Sequence, residues 1–259
     1  MTDGVFRVFR PDGMLQFDAT AATLVFHSKG TVTTVSTTGF TPHWSNSSPS
    51  SALIPMDRNS NELFALYMPG YGYARYANVQ HPTTGVWYHV YHTMAPPGST
   101  VTWYRFLPAT ELAAPGSGWG PGLALYNESG QLTFHSDMRP MIAPAALTGV
   151  GASTQLPAGR SYASLVQTLA GHERYTWDGT QEVVENDKGQ VIARLWNGVA
   201  DGKLYGVKWN SPTNPSLVEV SFNDQIIQQD VNTSPTVPAN STFYSIPIED
   251  VLFVDVTGL

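Results

Sequence analysis

Val5-Phe-Arg-Val-Phe-Arg-Pro-Asp-Gly-Met-Leu-Gln-Phe17 and Gly122-Leu-Ala-Leu-Tyr-Asn-Glu-Ser-Gly-Gln-Leu-Thr-Phe134 spell one pattern twice. With Gly13 set on Gly130, the apolar residues Phe6, Val8, Leu15 and Phe17 fall on Leu123, Leu125, Leu132 and Phe134. Each copy alternates apolar and polar residues, breaks at Pro-Asp-Gly or Glu-Ser-Gly, then alternates again. Alternation sends successive side chains to opposite faces of an extended chain, and the glycine supplies the turn. Each copy therefore reads as a β-hairpin with one buried face and one wet face. Only the glycine, one leucine and the final phenylalanine are identical between the copies. The turn and the inward-facing positions are what is kept, and the repeat predicts two similar β units in tandem.

Working outward, the remaining strands have the same character. Residues 22–27 and 31–36 read as strands joined by a Ser-Lys-Gly turn, and residues 39–61, rich in Ser, Pro and Asn, read as a long surface loop. Strands resume at 62–67, 71–76, 86–91 and 101–106, separated by Pro-Gly, Thr-Thr-Gly and Pro-Pro-Gly turns. Residues 107–121 change composition and hold the best linker candidate. Beyond the second hairpin, strands are expected at 161–166, 181–185, 190–196, 203–209 and 216–222, with Asn186-Asp-Lys-Gly189 as another hairpin turn. Residues 243–256 read as one or two closing strands, and 162–170 is the one place where a short helix could hide. The expected fold is all-β: tandem antiparallel β-sandwich units with long loops and little helix. Unit 1 spans 1–110, a linker 111–121, and unit 2 spans 122–259.

The totals agree. Charged residues make up 13% of the 259 residues, about half the usual share, while 42% are apolar and 12% aromatic. Gly, Pro, Ser, Thr and Asn fill the difference, which favours turns and strands over exposed helices. The net charge of −7 and the lack of a Lys/Arg run argue against a phosphate-tracking surface, so no nucleic-acid partner is expected. Without cysteine there is no disulfide, thiolate metal site or thiol nucleophile. No segment approaches the roughly 20 apolar residues of a membrane-spanning helix, so no membrane insertion is expected. The opening MTDGVFR lacks the charged and apolar pattern of a secretory leader.

Chemistry-bearing motifs are sparse. His89 and His92 lie three apart on an expected strand, point to opposite faces and cannot share a metal. There is no Gly-x-Ser-x-Gly elbow, Gly116-x-Gly-x-Gly120 lacks a strand-to-helix setting, and Asn186-Asp-Lys-Gly is too short for a calcium loop. No catalytic residue, cofactor or metal is assigned. Aromatic residues concentrate between 67 and 104, where core and cross-strand packing is favoured about two to one over a sugar-stacking face, since half of a strand must face inward. On the sugar-stacking reading, the candidate contacts to a glycan or host surface are Trp44, Tyr71, Tyr73 and Trp119.

Gly122 to Ser136, followed by Asp137-Met-Arg-Pro140, resembles a phrase that recurs in tail-tip and tail-fibre proteins of tailed bacteriophages. Such proteins show an apolar stretch, Asn-x-x-Gly, an apolar-x-Phe-x-Ser segment and an Asp followed closely by Arg. The resemblance covers about 20 residues strictly and a further 15 or so loosely. The first copy departs from it, with Arg10-Pro-Asp-Gly13 replacing the Asn turn and no matching Arg after Asp18. The resemblance implies a structural, non-enzymatic virion protein of the tail tip, baseplate or fibre. It would be made in the host cytoplasm, assemble with other phage tail proteins as a symmetric homo-oligomer (trimer or hexamer), and present loops to a host surface glycan or protein. The rival readings are a carbohydrate-binding module or receptor-binding protein for bacterial surface glycans, and a polysaccharide depolymerase or glycosidase, against which stands the absence from this sequence of the short regular repeats of a β-helix.

Overall fold

The computed structural model describes residues 7–9, 15–18, 23–36, 50–57, 60–81, 83–112, 121–166, 170–221, 225–230, 241–246 and 250–259. Their strands are β1 (Arg7–Phe9), β2 (Leu15–Asp18), β3 (Leu24–Thr33), β4 (Ser50–Met56), β5 (Leu63–Tyr67), β6 (Gly72–Gln80), β7 (Trp87–Thr93), β8 (Thr100–Pro108), β9 (Ala124–Tyr126), β10 (Leu132–His135), β11 (Ala145–Leu147), β12 (Tyr162–Leu165), β13 (Gly171–Glu185), β14 (Val191–Ser211), β15 (Asn214–Ser221), β16 (Gln225–Asp230), β17 (Ser241–Ile246) and β18 (Val251–Asp255). Among the described residues one three-residue 3-10 turn, Ala109–Glu111, is the whole helical content. The all-β expectation holds.

Two large sheets carry the core. A six-stranded sheet runs β11-β18-β12-β5-β8-β3, and an eight-stranded one runs β17-β13-β14-β6-β7-β4, with β15 and β16 also paired to β14. Ile54, Tyr73, Tyr91, Val207 and Trp209 of the larger sheet pack with Phe64, Leu66, Val101, Tyr162 and Phe253 of the smaller in one cluster. Its rings meet edge-on: Tyr67 on Trp209 at 5.4 Å, Trp209 on Phe253 at 5.6 Å and Phe64 on Trp103 at 5.7 Å. This is the arrangement expected of a sandwich filled by aromatic side chains.

Strands from both sides of residues 111–121 share both sheets and that cluster, so the stretches 1–110 and 122–259, expected as tandem β-sandwich units, meet in common sheets. The reason lies in the strand edges. With one edge of β5 on β8 and one edge of β6 on β7, the other edges would be left as open ladders, and strands from the second half cap them. The joints are narrow. Leu66 of β5 pairs with Ser164 of β12, and Gly72 and Tyr73 of β6 pair with Lys208 and Val207 of β14. A single polar contact set sits on both joints. The Tyr73 hydroxyl donates to the Leu66 carbonyl at 2.7 Å, meets Ser164 Oγ at 2.5 Å and accepts the Trp209 indole N–H at 3.1 Å.

The two hairpins form as expected, in a shared register. Val8 pairs with Phe17 and Arg7 with Asp18, while Phe9 skips Gln16 to pair with Leu15. In the second copy Leu125 pairs with Phe134 and Ala124 with His135, while Tyr126 skips Thr133 to pair with Leu132. Both copies carry the same bulge at the same aligned position. A third instance lies at the β13–β14 tip, where Val184 pairs with Ala193, Val183 with Arg194, and Glu185 skips Ile192 to pair with Val191.

The second and third turns are built alike. The Asn127 carbonyl accepts the Gly130 N–H (2.9 Å), the Asn127 N–H donates to the Gln131 carbonyl (2.9 Å), and its Oδ1 accepts the Ser129 and Gln131 N–H groups at 3.1 and 2.8 Å. Asn186 repeats the set with Gly189, Gln190 and Lys188. Gly130 and Gly189 sit at φ 73° and 70°, the left-handed region that closes a type I turn into a bulge. Replacing Asn127 by Ala removes the acceptor for two N–H groups. It should cost about 1 kcal/mol, read as a lower urea midpoint at unchanged slope.

The bulge also alters which residues are covered. Leu132, Thr133 and His135 are buried, packed near Val25, Ala109 and Met138, whereas Leu123, expected inside, is 52% exposed. The extra residue Thr133 breaks strict alternation in β10, so Leu132 and Thr133 are covered in succession, while Leu123 lies just before β9, outside the ladder.

Three other expectations are corrected. No turn interrupts β3, because Gly30 lies opposite Trp103 and a Cβ there would sit 2.4 Å from the indole ring, so the bare glycine admits the ring across the strand. The expected surface loop at 39–61 contains β4, whose Ala52 and Ile54 are buried. Its Pro55 is tolerated because β4 is an edge strand with one ladder only. Residues 162–165, the candidate helix start, are strand β12, hemmed between β5 and β18.

Candidate functional site

A bulge in β6 builds the polar site. Arg75 pairs with Tyr91 and Ala77 with Val90, so Tyr76 is the extra residue. On a regular strand Arg75 and Asn78, three apart, would face opposite sides. The inserted residue brings both to the side where their β7 partners Tyr91 and His89 lie. Arg75 Nη2 donates to Asn78 Oδ1 at 2.5 Å and Nη1 to the Tyr91 hydroxyl at 3.4 Å, with the guanidinium 5.5 Å from the Tyr91 ring centre.

Glu62, Leu63, Phe64 and Val166 complete the walls of a half-open cleft of about 150 Å³ around Arg75, His89 and Tyr91. Phe64 meets the His89 ring edge-on at 5.0 Å. Glu62 is tied down from behind: its Oε1 accepts the Asp57 N–H at 2.6 Å, and its Oε2 lies 2.5 Å from Arg105 Nη2, an ion-pair contact without hydrogen-bond angles.

The protonation state of His89 follows by elimination. Arginine only donates, so the Asn78 atom facing Arg75 is the carbonyl oxygen. His89 Nδ1 lies 2.8 Å from that same oxygen and must carry the proton. Nε2 is then a bare lone pair. It is buried, and no described residue donates to it. Burial, with the Arg75 charge adding to it, holds His89 down to a pKa of about 3, and burial holds His92 down to about 4. His92 faces the other side, bonded to Ser51 Oγ at 2.7 Å and packed at a tilt of 44° against the Tyr76 ring, so the two imidazoles lie on opposite faces as expected.

Stability should depend on acid accordingly. Both histidines titrate near 6.5 when unfolded, so below that pH the unfolded chain binds more protons and the folded state loses stability as pH falls. Between about pH 6 and pH 4.5 the dependence should approach two protons, at most about 2.7 kcal/mol per pH unit. Chemical denaturation at several pH values measures it. The imidazole C–H signals of His89 and His92 should keep neutral positions down to about pH 5; either one titrating near pH 6.5 in the folded protein would contradict the assignment.

The contact residues expected from sequence are not brought together. Tyr71 is on the surface, 41% exposed, beside the β5–β6 turn. Tyr73 is 1% exposed and spends its hydroxyl inside the core, which corrects its assignment as a surface contact: with Gly72 and Tyr73 alternating on β6, Tyr73 takes the inward position. Trp44 and Trp119 lie outside the described residues. Of the aromatic run, Tyr67, Tyr91 and Trp103 also belong to or pack against the core, in line with the cross-strand reading. The cleft residues Glu62, Arg75 and His89 escaped sequence reasoning. The usable signal was His89 and Tyr91 two apart on one strand face.

Chemically the cleft offers guanidinium donors, one imidazole acceptor and an apolar wall. Glu62 is the one carboxylate among its lining residues, so the pair needed for glycoside hydrolysis is not assembled there. Among the described residues no cluster of metal-ligating side chains is found, and no helix is long and apolar enough to cross a membrane. No family model, no curated protein and no solved structure matches this chain.

Proposed function

We propose that this chain is a structural component of a bacteriophage tail tip, baseplate or tail fibre, located in the virion and assembling there as a symmetric oligomer. The observation that carries the reading is the 122–140 segment. It holds the phage-like phrase, and its β9–β10 hairpin shares register and bulge with β1–β2. A turn in which asparagine satisfies its own loop and a glycine closes it is rigid without outside support, which suits a part that must be presented repeatedly in an assembly. The low charge and the all-β sandwich suit the same role.

Mass spectrometry of purified tailed particles should find the chain, and gold-labelled antibody against it should decorate the tail. Light scattering of the purified chain should give three or six copies. A monomer at micromolar concentration that is also absent from particles overturns the proposal.

A further inference from the structure

We propose that the Arg75–His89–Tyr91 cleft binds a neutral, hydroxyl-bearing ligand, one sugar ring or a comparable polyol, through adjacent hydroxyl groups. The inference does not rest on the virion reading; it follows from the proton inventory of the cleft.

His89 Nε2 has a lone pair and no proton, and it is buried without a described donor. A buried acceptor left unmade is costly, so the site favours a group that brings an O–H. Among the described residues Arg75 places two of its five N–H donors, on Asn78 and Tyr91, and the remainder suit an oxygen acceptor on the same ligand. A vicinal diol supplies both: one hydroxyl donates to the imidazole and its neighbour accepts from the guanidinium. Phe64, Leu63 and Val166 offer apolar surface for the C–H face of a ring.

Charge and size narrow the class. A carboxylate would accept from Arg75 but has no proton for His89, and a phosphate, though it can carry one, would like any anion meet the Glu62 carboxylate in the same walls. An ammonium could donate, but would face Arg75. The volume equals about five waters, enough for one ring and too little for a longer chain to be enclosed. Because Phe64 packs edge-on against the imidazole, its ring must give way for a hydroxyl to reach Nε2.

The test is nitrogen and ligand-observed NMR on the full chain, with methyl glucopyranoside, methyl galactopyranoside and glycerol as neutral probes and acetate and phosphate as anionic ones. At least one pyranoside should bind at millimolar strength and move the His89 Nε2 resonance, with Phe64 signals shifting alongside. Arg75→Gln should weaken that binding about tenfold, the value of one hydrogen bond to a charged donor. His89→Gln is a second variant, but because His89 is buried the wild-type Nε2 shift carries the result. The inference is overturned if no neutral probe binds at about 50 mM. Binding of acetate or phosphate in its place, or pyranoside binding that leaves His89 Nε2 unmoved, overturns it equally.

Discussion

Gly206→Ala should be among the most damaging single changes in this protein, with a loss of about 3 kcal/mol or more. A Cβ at that position would lie 2.0 Å from the Tyr73 carbonyl oxygen and 2.7 Å from the Ala74 Cα. Both obstacles are main chain, so no rotamer change relieves them, and the strands must part. They would part at the β6–β14 joint, which ties the two halves of the larger sheet through only two residue pairs. The cost belongs at the upper end of overpacking, about 3 kcal/mol or more, against the roughly 5–15 kcal/mol that holds a typical domain together. Gly72→Ala is the matched control. There the nearest atom is the Val218 Cγ2 at 3.3 Å, the movable end of a side chain, and the loss should stay below about 1 kcal/mol. Urea denaturation of both variants decides the matter. Similar losses for the two would mean that the backbones do not close on Gly206.

Tyr73→Phe should cost about 2–4 kcal/mol although it deletes one oxygen atom. Its hydroxyl proton goes to the Leu66 carbonyl, so Ser164 Oγ and the Trp209 indole donate toward it. Removing it leaves the buried Trp209 indole N–H of β14 without that acceptor and Ser164 Oγ of β12 with only its longer, 3.5 Å contact to the Leu66 carbonyl. The same atoms tie β5 to β12 and β6 to β14, so the loss falls on both joints together. Combining Tyr73→Phe with Ser164→Ala should give less than the sum of the two single losses, because the second change removes a donor whose better acceptor the first has already taken away. A loss under about 1 kcal/mol for Tyr73→Phe, or full additivity in the pair, would show that the hydroxyl is not shared as described.

How much of this was readable beforehand differs from element to element. The hairpins at 7–18 and 124–135 were readable because a turn glycine, its flanking polar residues and alternating neighbours all act within a dozen residues. The third hairpin at Asn186 was readable as a turn, while its identity with the second emerged only from the matching hydrogen bonds. Strand β4 was misread because Ser50, Ser51 and Pro55 look like loop residues until β7 is placed beside them. The turn expected at Ser28–Gly30 failed for a similar reason. A glycine signals a turn locally, but here it makes room for Trp103, a residue that reaches it only through the fold.

The candidate site was less legible than the fold. His89 was visible as a histidine on a strand face, but its lone-pair state depends on Asn78 and Arg75, which share its face only because Tyr76 is bulged. No composition or periodicity marks that extra residue.

What the amino-acid order decided alone is the all-β character, the turns and the local hairpin registers, since these arise from φ preferences and alternation between near neighbours. Only the tertiary structure decided that the two halves interleave, that Tyr73 belongs to the core, and that Arg75, His89 and Glu62 line one cleft. Those outcomes depend on which open strand edges meet and which faces bury one another, a contest among segments some hundred residues apart that no local pattern records.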